Sequence, residues 1–126
     1  MNQTKEKIIK KFVEAYNSFD IDTMLLLLHP EVQFKNISGG EVNAQISGKD
    51  EFEKLARQSA ALFKEREQKI ISYKESENKV NIDIEYHALL AADLPNGLKS
   101  GDKINLQGKS EYIFKDGLIY SIVDES

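Results

Sequence analysis

The stretch that decides the fold is residues 79–92, which read KVNIDIEYHALLAA. Apolar and polar side chains alternate along it, and the apolar face comprises Val80, Ile82, Ile84, Tyr86, Ala88 and Leu90. Because successive side chains of a strand point to opposite faces, this alternation predicts a long strand with one buried face. At about 3.3 Å per residue the strand would span roughly 45 Å, so it must twist or bend within a small domain.

Turn-forming residues divide the second half of the chain into four predicted strands between Gln68 and Glu125. The junctions are Ser76-Glu77-Asn78, Pro95-Asn96-Gly97 and Asp116-Gly117, all residue types that accept turn geometry. The third of these strands presents a matching face formed by Ile104, Leu106, Gly108, Ser110, Tyr112 and Phe114. The pattern predicts an antiparallel meander.

The first half of the chain is predicted to be mainly helical. Thr4 can cap a first helix that runs to about residue 18, with apolar side chains at helical spacing. A second, short helix is expected over residues 23–28, capped by Asp20 or Asp22. His29-Pro30 would end it, since the residue before a proline is pushed out of helical geometry.

A strand and a third helix follow in the prediction. Residues 32–37 alternate as a half-buried strand does, and residues 38–48 form a loop or a small hairpin. Asp50 and Glu53 make a capping arrangement for a third helix, whose apolar side chains extend to Leu62 and Phe63.

Helices first and an antiparallel meander afterwards predict an α+β fold. We expect three N-terminal helices packed in a strongly curved, mostly antiparallel sheet of the cystatin-like cone type. No repeat or linker is evident, so residues 1–126 are predicted to form one domain. A curved sheet of this kind leaves room for a cavity beside the helices.

Composition narrows the class of protein. Seventeen basic and 21 acidic residues give a net charge of −4, which argues against a nucleic-acid surface. The first residues lack the apolar core of a signal peptide, and no later segment could span a bilayer, so membrane association is not expected. The absence of cysteine is compatible with a reducing compartment. We therefore expect a cytoplasmic protein.

Metal and cofactor sites are not predicted. The sequence contains no glycine-rich phosphate loop and no dinucleotide fingerprint. His29 and His87 are far apart and share no ligand spacing, so a zinc site is not expected. His29 is interpreted as structural, His87 as a surface residue, and the mixed-charge residues 64–67 as a solvated helix end.

Candidate functional residues come from polar side chains on otherwise apolar faces. Seven residues share this property: Tyr16, Asn36, Tyr86, Ser110, Tyr112, Tyr120 and Asp124. An apolar cavity with a few convergent polar groups is the usual form of a small-molecule site. Phe12 and Phe34 would add apolar lining. Any single tyrosine can equally bury its ring and direct its hydroxyl to water or to the backbone.

Asp124 is the candidate catalytic residue. A carboxylate beside Ile122 and Val123 near a cavity would be desolvated and could act as a general base. A two-residue loop at Asp116-Gly117 places Asp124 on the face opposite Tyr112, whereas a three-residue loop with a bulge reverses this. The sequence permits both, and in the first case Asp124 is an exposed terminal acid.

The chain resembles the nuclear transport factor 2-like superfamily, which includes ketosteroid isomerases and SnoaL-like polyketide cyclases. The resemblance covers nearly the whole chain and rests on residues 12–20 (FVEAYNSFD), 29–34 (HPEVQF), Gly48 and residues 112–119 (YIFKDGLI). It implies a pocket between helices and sheet, and a homodimer formed through the outer sheet face.

The resemblance also bears on individual residues. Ketosteroid isomerases carry a tyrosine and two aspartates at positions that match Phe12, Asn36 and approximately Ser110 here. These replacements remove the acids and base of that reaction. SnoaL-like cyclases place an acidic residue near the end of the last strand, where this chain has Asp124, although Val123 replaces the aromatic residue that often precedes it.

Three functions remain open from the sequence. The first is a pocket protein for a small apolar ligand, which can carry a carbonyl group. The second is a cyclase, isomerase or hydrolase in which Asp124 transfers a proton while Asn36, Tyr86 or Tyr112 orients the ligand. The third is a dimeric interaction module that uses Leu89 and Ile113 on the outer sheet face.

Overall fold

The computed structural model describes residues 4–95 and 97–126 and has the predicted α+β architecture. Its elements, in chain order, are α1 (Lys5–Asn17), α2 (Ile21–Leu26), β1 (Leu28–Ser38), β2 (Glu41–Ser47), α3 (Lys49–Ala60), β3 (Phe63–Glu75), β4 (Lys79–Leu90), β5 (Lys103–Lys115) and β6 (Leu118–Glu125). The strands form one curved, unclosed sheet in the order β2-β1-β6-β5-β4-β3. Neighbouring strands are antiparallel except β1 and β6, which are parallel. In the described ranges, none of the helices combines the length and apolar character needed to cross a membrane.

The first helix matches the prediction and provides one wall of the core. The Thr4 side chain accepts a hydrogen bond from the Lys7 backbone N–H at 3.2 Å, which satisfies one of the free donors at the start of α1. The buried side chains of α1 are Ile8, Ile9, Phe12, Val13 and Ala15. They pack against the inner face of the sheet, where Val80, Ile82 and Tyr112 are almost fully buried.

The second helix lies earlier than predicted. Asp20 caps it by accepting a hydrogen bond from the Thr23 N–H at 3.1 Å, and the helix ends at Leu26. His29-Pro30 therefore does not end α2 but lies within β1. The reason is tertiary: the Ile119 N–H of β6 donates to the Leu27 carbonyl at 3.0 Å, so strand pairing begins immediately after the helix.

The predicted capping arrangement of the third helix is wrong. Gly48 is the N-cap residue and provides no side-chain hydrogen bond, while Asp50 lies in the first turn. Glu53 instead pairs with Arg57, one helical turn later, at 2.8 Å. Residues 38–48 were predicted to form either a loop or a small hairpin. They contain the turn and strand β2, which pairs with β1 as a hairpin.

The end of α3 was also predicted wrongly. The helix stops at Ala60, and the residues expected to continue it belong to β3, which pairs with β4 from Phe63 to Glu75. Residues 64–67 are consequently a strand and not a solvated helix end. Within them Arg66 is buried, because it lies on the inner face while its neighbours lie on the outer face.

The long strand and its neighbour confirm the predicted alternation. The prediction carried β4 to residue 92, whereas the strand ends at Leu90. Of the predicted turns, Ser76-Glu77-Asn78 and Asp116-Gly117 lie between strands as expected. In the turn predicted at Pro95-Asn96-Gly97, Asn96 lies outside the described residues.

The C-terminal hairpin resolves the orientation of Asp124. Lys115 pairs with Leu118, so Asp116-Gly117 is a two-residue loop, and both residues have positive φ values of 55° and 77°. Phe114 pairs with Ile119 but Ile113 pairs with Ser121, which leaves Tyr120 as a bulge. The expectation that a two-residue loop turns Asp124 away from the Tyr112 face is therefore wrong, because the bulge shifts the strand parity by one residue. Asp124 pairs with Ser110 on the inner face.

We expect Gly117→Ala to lower the free energy of unfolding by about 1 kcal/mol, since a side chain at positive φ is strained. The space around a Cβ at Gly117 is open, so the cost is conformational and involves no steric clash. Asparagine tolerates this region better, and Gly117→Asn should lose less. Urea denaturation of both variants checks this, and equal losses would contradict the backbone argument.

Candidate functional site

A cavity of about 330 Å³ lies between the helices and the inner face of the sheet. Eight of the nine candidate residues from the sequence lie along its wall: Phe12, Tyr16, Phe34, Asn36, Tyr86, Ser110, Tyr112 and Asp124. They come from α1 and from strands β1, β4, β5 and β6. The inward faces of these strands converge on α1, and this convergence brings residues together that are distant in sequence.

The carboxyl group of Asp124 is the most unusual feature of the cavity. The Ser110 hydroxyl, itself only 3% exposed, donates a hydrogen bond to Asp124 Oδ1 at 2.6 Å. Burial raises the pKa of Asp124 to about 6, while the bond from Ser110 partly opposes this shift. Within the described ranges, no cation forms an ion pair with Asp124. The carboxyl group is therefore a half-buried base that accepts a hydrogen bond from Ser110.

The hydroxyl groups of Tyr16 and Tyr86 meet at the cavity wall. The hydroxyl oxygens of Tyr16 and Tyr86 lie 2.8 Å apart, so one donates to the other and the second proton stays available to a ligand. Burial raises the pKa of both side chains. The pKa of Tyr16 is also raised by the charge of Asp124 and lowered by that of Arg66.

Tyr112 supplies a third hydroxyl group near Asp124. It is 1% exposed, and burial followed by the nearby charge of Asp124 raises the pKa of its hydroxyl. The Ser110 hydroxyl opposes this shift. All three tyrosines are therefore protonated at neutral pH and can act as hydrogen-bond donors.

Aromatic rings form the apolar part of the wall. Phe52 of α3 joins Phe12 and Phe34, with ring centroids 6.4 and 5.7 Å away, and Phe12 meets the edge of Tyr112 at 6.1 Å. Asn36 pairs with Asp124 across β1 and β6, and its Nδ2 donates to Asn43 Oδ1 at 2.7 Å. The cavity thus combines an apolar body with a polar end.

The sequence analysis missed the polar wall residues of β3, Arg66 and Gln68. Gln68 was predicted to begin a strand, and extending its alternation backwards by two residues would have placed Arg66 on the same inward face. The strand pattern was not recognised because the charged residues 64–67 are equally compatible with the exposed end of a helix.

Three other candidates lie away from the cavity. Tyr120 forms the bulge of β6 and its ring packs edge-on against His29 at 5.3 Å, so its predicted place among the cavity residues is wrong. His29 Nε2 lies 3.6 Å from Asp116, and His87 is exposed beside Asn105. The described ranges contain no cluster of three or more His, Cys, Asp or Glu side chains suited to a metal ion.

Comparison with known proteins gives the family. The sequence profile of the SnoaL-like domain matches residues 9–122, which is most of the chain, and Asp124 lies two residues beyond the matched range. The chain belongs to the SnoaL-like family. The resemblance to the nuclear transport factor 2-like superfamily is thereby confirmed. A search of curated proteins finds no significant match.

Solved structures with the SnoaL-like fold match almost the whole chain. A candidate polyketide cyclase from Xanthomonas campestris has a TM-score of 0.81 and 19% identity, and the match covers 96% of this chain and 88% of that one. A Catenulispora acidiphila protein of ketosteroid isomerase-like fold, solved with trimethylamine, has a TM-score of 0.77 and 12% identity. The match covers 96% of this chain and 85% of that one. An LEH-like epoxide hydrolase from M. tuberculosis has a TM-score of 0.75 and 17% identity, and the match covers 94% of this chain and 79% of that one. At these identities the likeness concerns the fold.

Proposed function

We propose that this SnoaL-like protein binds a small apolar molecule that carries a carbonyl group, and that Asp124 abstracts a proton from the carbon next to that carbonyl. The observation that carries the proposal is the half-buried Asp124 carboxyl group, whose pKa is raised to about 6 at the wall of a largely apolar cavity. Perturbed ionisable groups of this kind are concentrated at functional sites.

The pKa of Asp124 suits a general base. A base is most effective when its pKa lies close to the working pH, because it is then ionised and still holds a proton well. An ordinary surface aspartate has a pKa near 3.8 and would be a much weaker base. The bond from Ser110 also fixes the position of the carboxylate relative to the cavity.

The tyrosines can stabilise the product of proton abstraction. When the proton moves to Asp124, negative charge develops on the carbonyl oxygen of the ligand. The Tyr16–Tyr86 pair has one hydroxyl proton left to donate to that oxygen. Tyr16 responds to the charge of Asp124, which supports its placement close enough to serve the same ligand.

Binding without catalysis is the second candidate. Phe12, Asn36 and Ser110 replace the acids and base that ketosteroid isomerases use, and this favours a cavity that only holds its ligand. The names of the structural neighbours agree with a small-molecule function in either case. The homodimer expected through the outer sheet face stays a prediction.

Deuterium exchange separates the two functions. The wild-type protein is mixed with apolar ketones such as 4-phenyl-2-butanone in deuterated buffer, and incorporation next to the carbonyl is followed by NMR. We expect saturable acceleration over buffer, with a rate that rises through an apparent pKa of about 6 as Asp124 ionises. Saturable binding with no acceleration would establish the binding function instead. Failure of every ketone to bind would contradict the proposed ligand class.

A further inference from the structure

Arg66 is a buried cation with an unused hydrogen-bond donor at the cavity wall. The residue is 5% exposed, and its Nη2 is buried without a hydrogen-bond partner in the described part of the protein. Buried polar atoms are nearly always hydrogen-bonded, so an unpaired guanidinium nitrogen calls for a physical explanation.

The guanidinium group is held in place by contacts that leave Nη2 free. Its Nε donates to the Tyr16 carbonyl at 2.8 Å, which anchors the side chain to α1. Its Cζ stacks 3.7 Å from the ring centroid of Tyr16 and 4.4 Å from that of Phe19. Arg66 is thus preorganised between two aromatic rings before any ligand binds.

The charge of Arg66 has no carboxylate partner. Among residues 4–95 and 97–126, none of the ion pairs includes Arg66. Burial lowers the pKa of its guanidinium, yet arginine remains charged at neutral pH. A buried cation without an anion is destabilising, and stacking alone could be provided by a neutral side chain. The arrangement suits a site whose anion arrives with the ligand.

We propose that Arg66 Nη2 binds a carboxylate of the ligand, so that the cavity takes an apolar carboxylic acid. Guanidinium groups recognise carboxylates through strong, charge-assisted hydrogen bonds. The inference deepens the proposed function, on which it rests for the carbonyl group: the substrate would then be an apolar keto acid. Its carboxylate would lie at Arg66 and its reactive carbon near Asp124.

The charges around the cavity support this orientation. The pKa of Tyr16 is affected by the charges of both Asp124 and Arg66, so both charges act within the same cavity. An anionic group would be repelled by Asp124 and attracted by Arg66. Lys109 also lines the cavity but is exposed, so water weakens its attraction for the same group.

A matched pair of ligands tests the carboxylate site without any turnover. We would measure by calorimetry the affinities of 4-phenylbutyrate and of 4-phenylbutanamide, which have nearly the same shape and differ in charge. Because a hydrogen bond to a charged group contributes roughly 1.5–3 kcal/mol, the wild type should bind the acid about 10- to 100-fold more tightly. Arg66→Met should lose this preference while still binding the amide. The exposed-cation control, Lys69→Met on β3, lies outside the cavity lining and should keep it.

Several results would overturn the carboxylate site. These are equal affinity of the wild type for acid and amide, an unchanged preference in Arg66→Met, or loss of the preference in Lys69→Met. Failure of the wild type to bind any phenylalkanoate with two to four methylene groups would do the same. If Arg66→Met does not fold by circular dichroism, the wild-type comparison still decides the outcome. Proton exchange on neutral ketones tests Asp124 separately, so either proposal can fail alone.

Discussion

Asp124→Asn is expected to slow proton exchange on bound ketones by a factor of about 10² to 10⁴, the usual contribution of a general base. Asparagine has nearly the same shape as aspartate and its Oδ1 can still accept the hydrogen bond from Ser110, so the cavity should keep its form. Ketone affinity should therefore change little while the rate falls. NMR exchange rates at saturating ketone, with affinities from calorimetry, measure the two effects independently.

The matched control for this substitution is Asp116→Asn. Asp116 is an exposed acid in the β5–β6 loop, and its positive φ of 55° is a conformation that asparagine also adopts. The same chemical change outside the cavity should leave the exchange rate at the wild-type value. Wild-type rates in Asp124→Asn would rule out Asp124 as the base, whatever the ketone affinity.

Asp124→Asn is also expected to stabilise the fold at high pH. The pKa of Asp124 rises from 3.8 when unfolded to about 6 when folded, and each unit corresponds to about 1.4 kcal/mol. The folded state therefore holds its proton more firmly, and wild-type stability falls as the pH rises from about 4 to about 6. Above that range the stability of Asp124→Asn relative to the wild type should be about 2.5 kcal/mol greater than at pH 4.

Urea denaturation of both proteins at pH 4, 6 and 8 checks this prediction. Other titrating groups contribute equally to both chains, so the difference in unfolding free energy isolates Asp124. Tyr16, Tyr86 and Tyr112 remain protonated across this range because their pKa values are raised. A difference that does not change with pH would mean that the carboxyl group is not desolvated in the folded protein.

Asp124→Asn is expected to lower the exchange rate but to raise the stability of the fold at high pH, and this contrast is informative. A carboxylate that is kept only for the fold should stabilise it. Here the ionised carboxylate is expected to destabilise the folded state while it accelerates exchange. Such a conflict between stability and activity is typical of functional sites.

Much of the fold follows from local patterns. The alternation in residues 79–92, the turn at Asp116-Gly117 and the helix cap at Thr4 all appear in the structure, because each depends on residues that are close in sequence. Apolar and polar patterns of this local kind gave nine candidate residues, and eight of them line one cavity. Their roles as ligand-binding or catalytic residues stay predictions.

The errors occur where distant segments compete with local preference. Residues 62–67 have helix-forming character, but pairing with β4 makes residues 63–67 strand and turns Arg66 inward. Pairing with β6 likewise brings His29-Pro30 into β1. Backbone pairing of this kind satisfies many hydrogen bonds at once and outweighs a weak helical propensity.

The chemistry of the cavity depends most strongly on such distant contacts. The amino-acid sequence alone specified an α+β chain with an acidic residue near its end, since strand alternation and turn geometry are local properties. The tertiary structure decided that a bulge at Tyr120 turns Asp124 inward, that Ser110 meets it, and that Arg66 is left with a free donor. Register, burial and charge environment arise only when separate segments pack together, and these three quantities determine what the side chains can do.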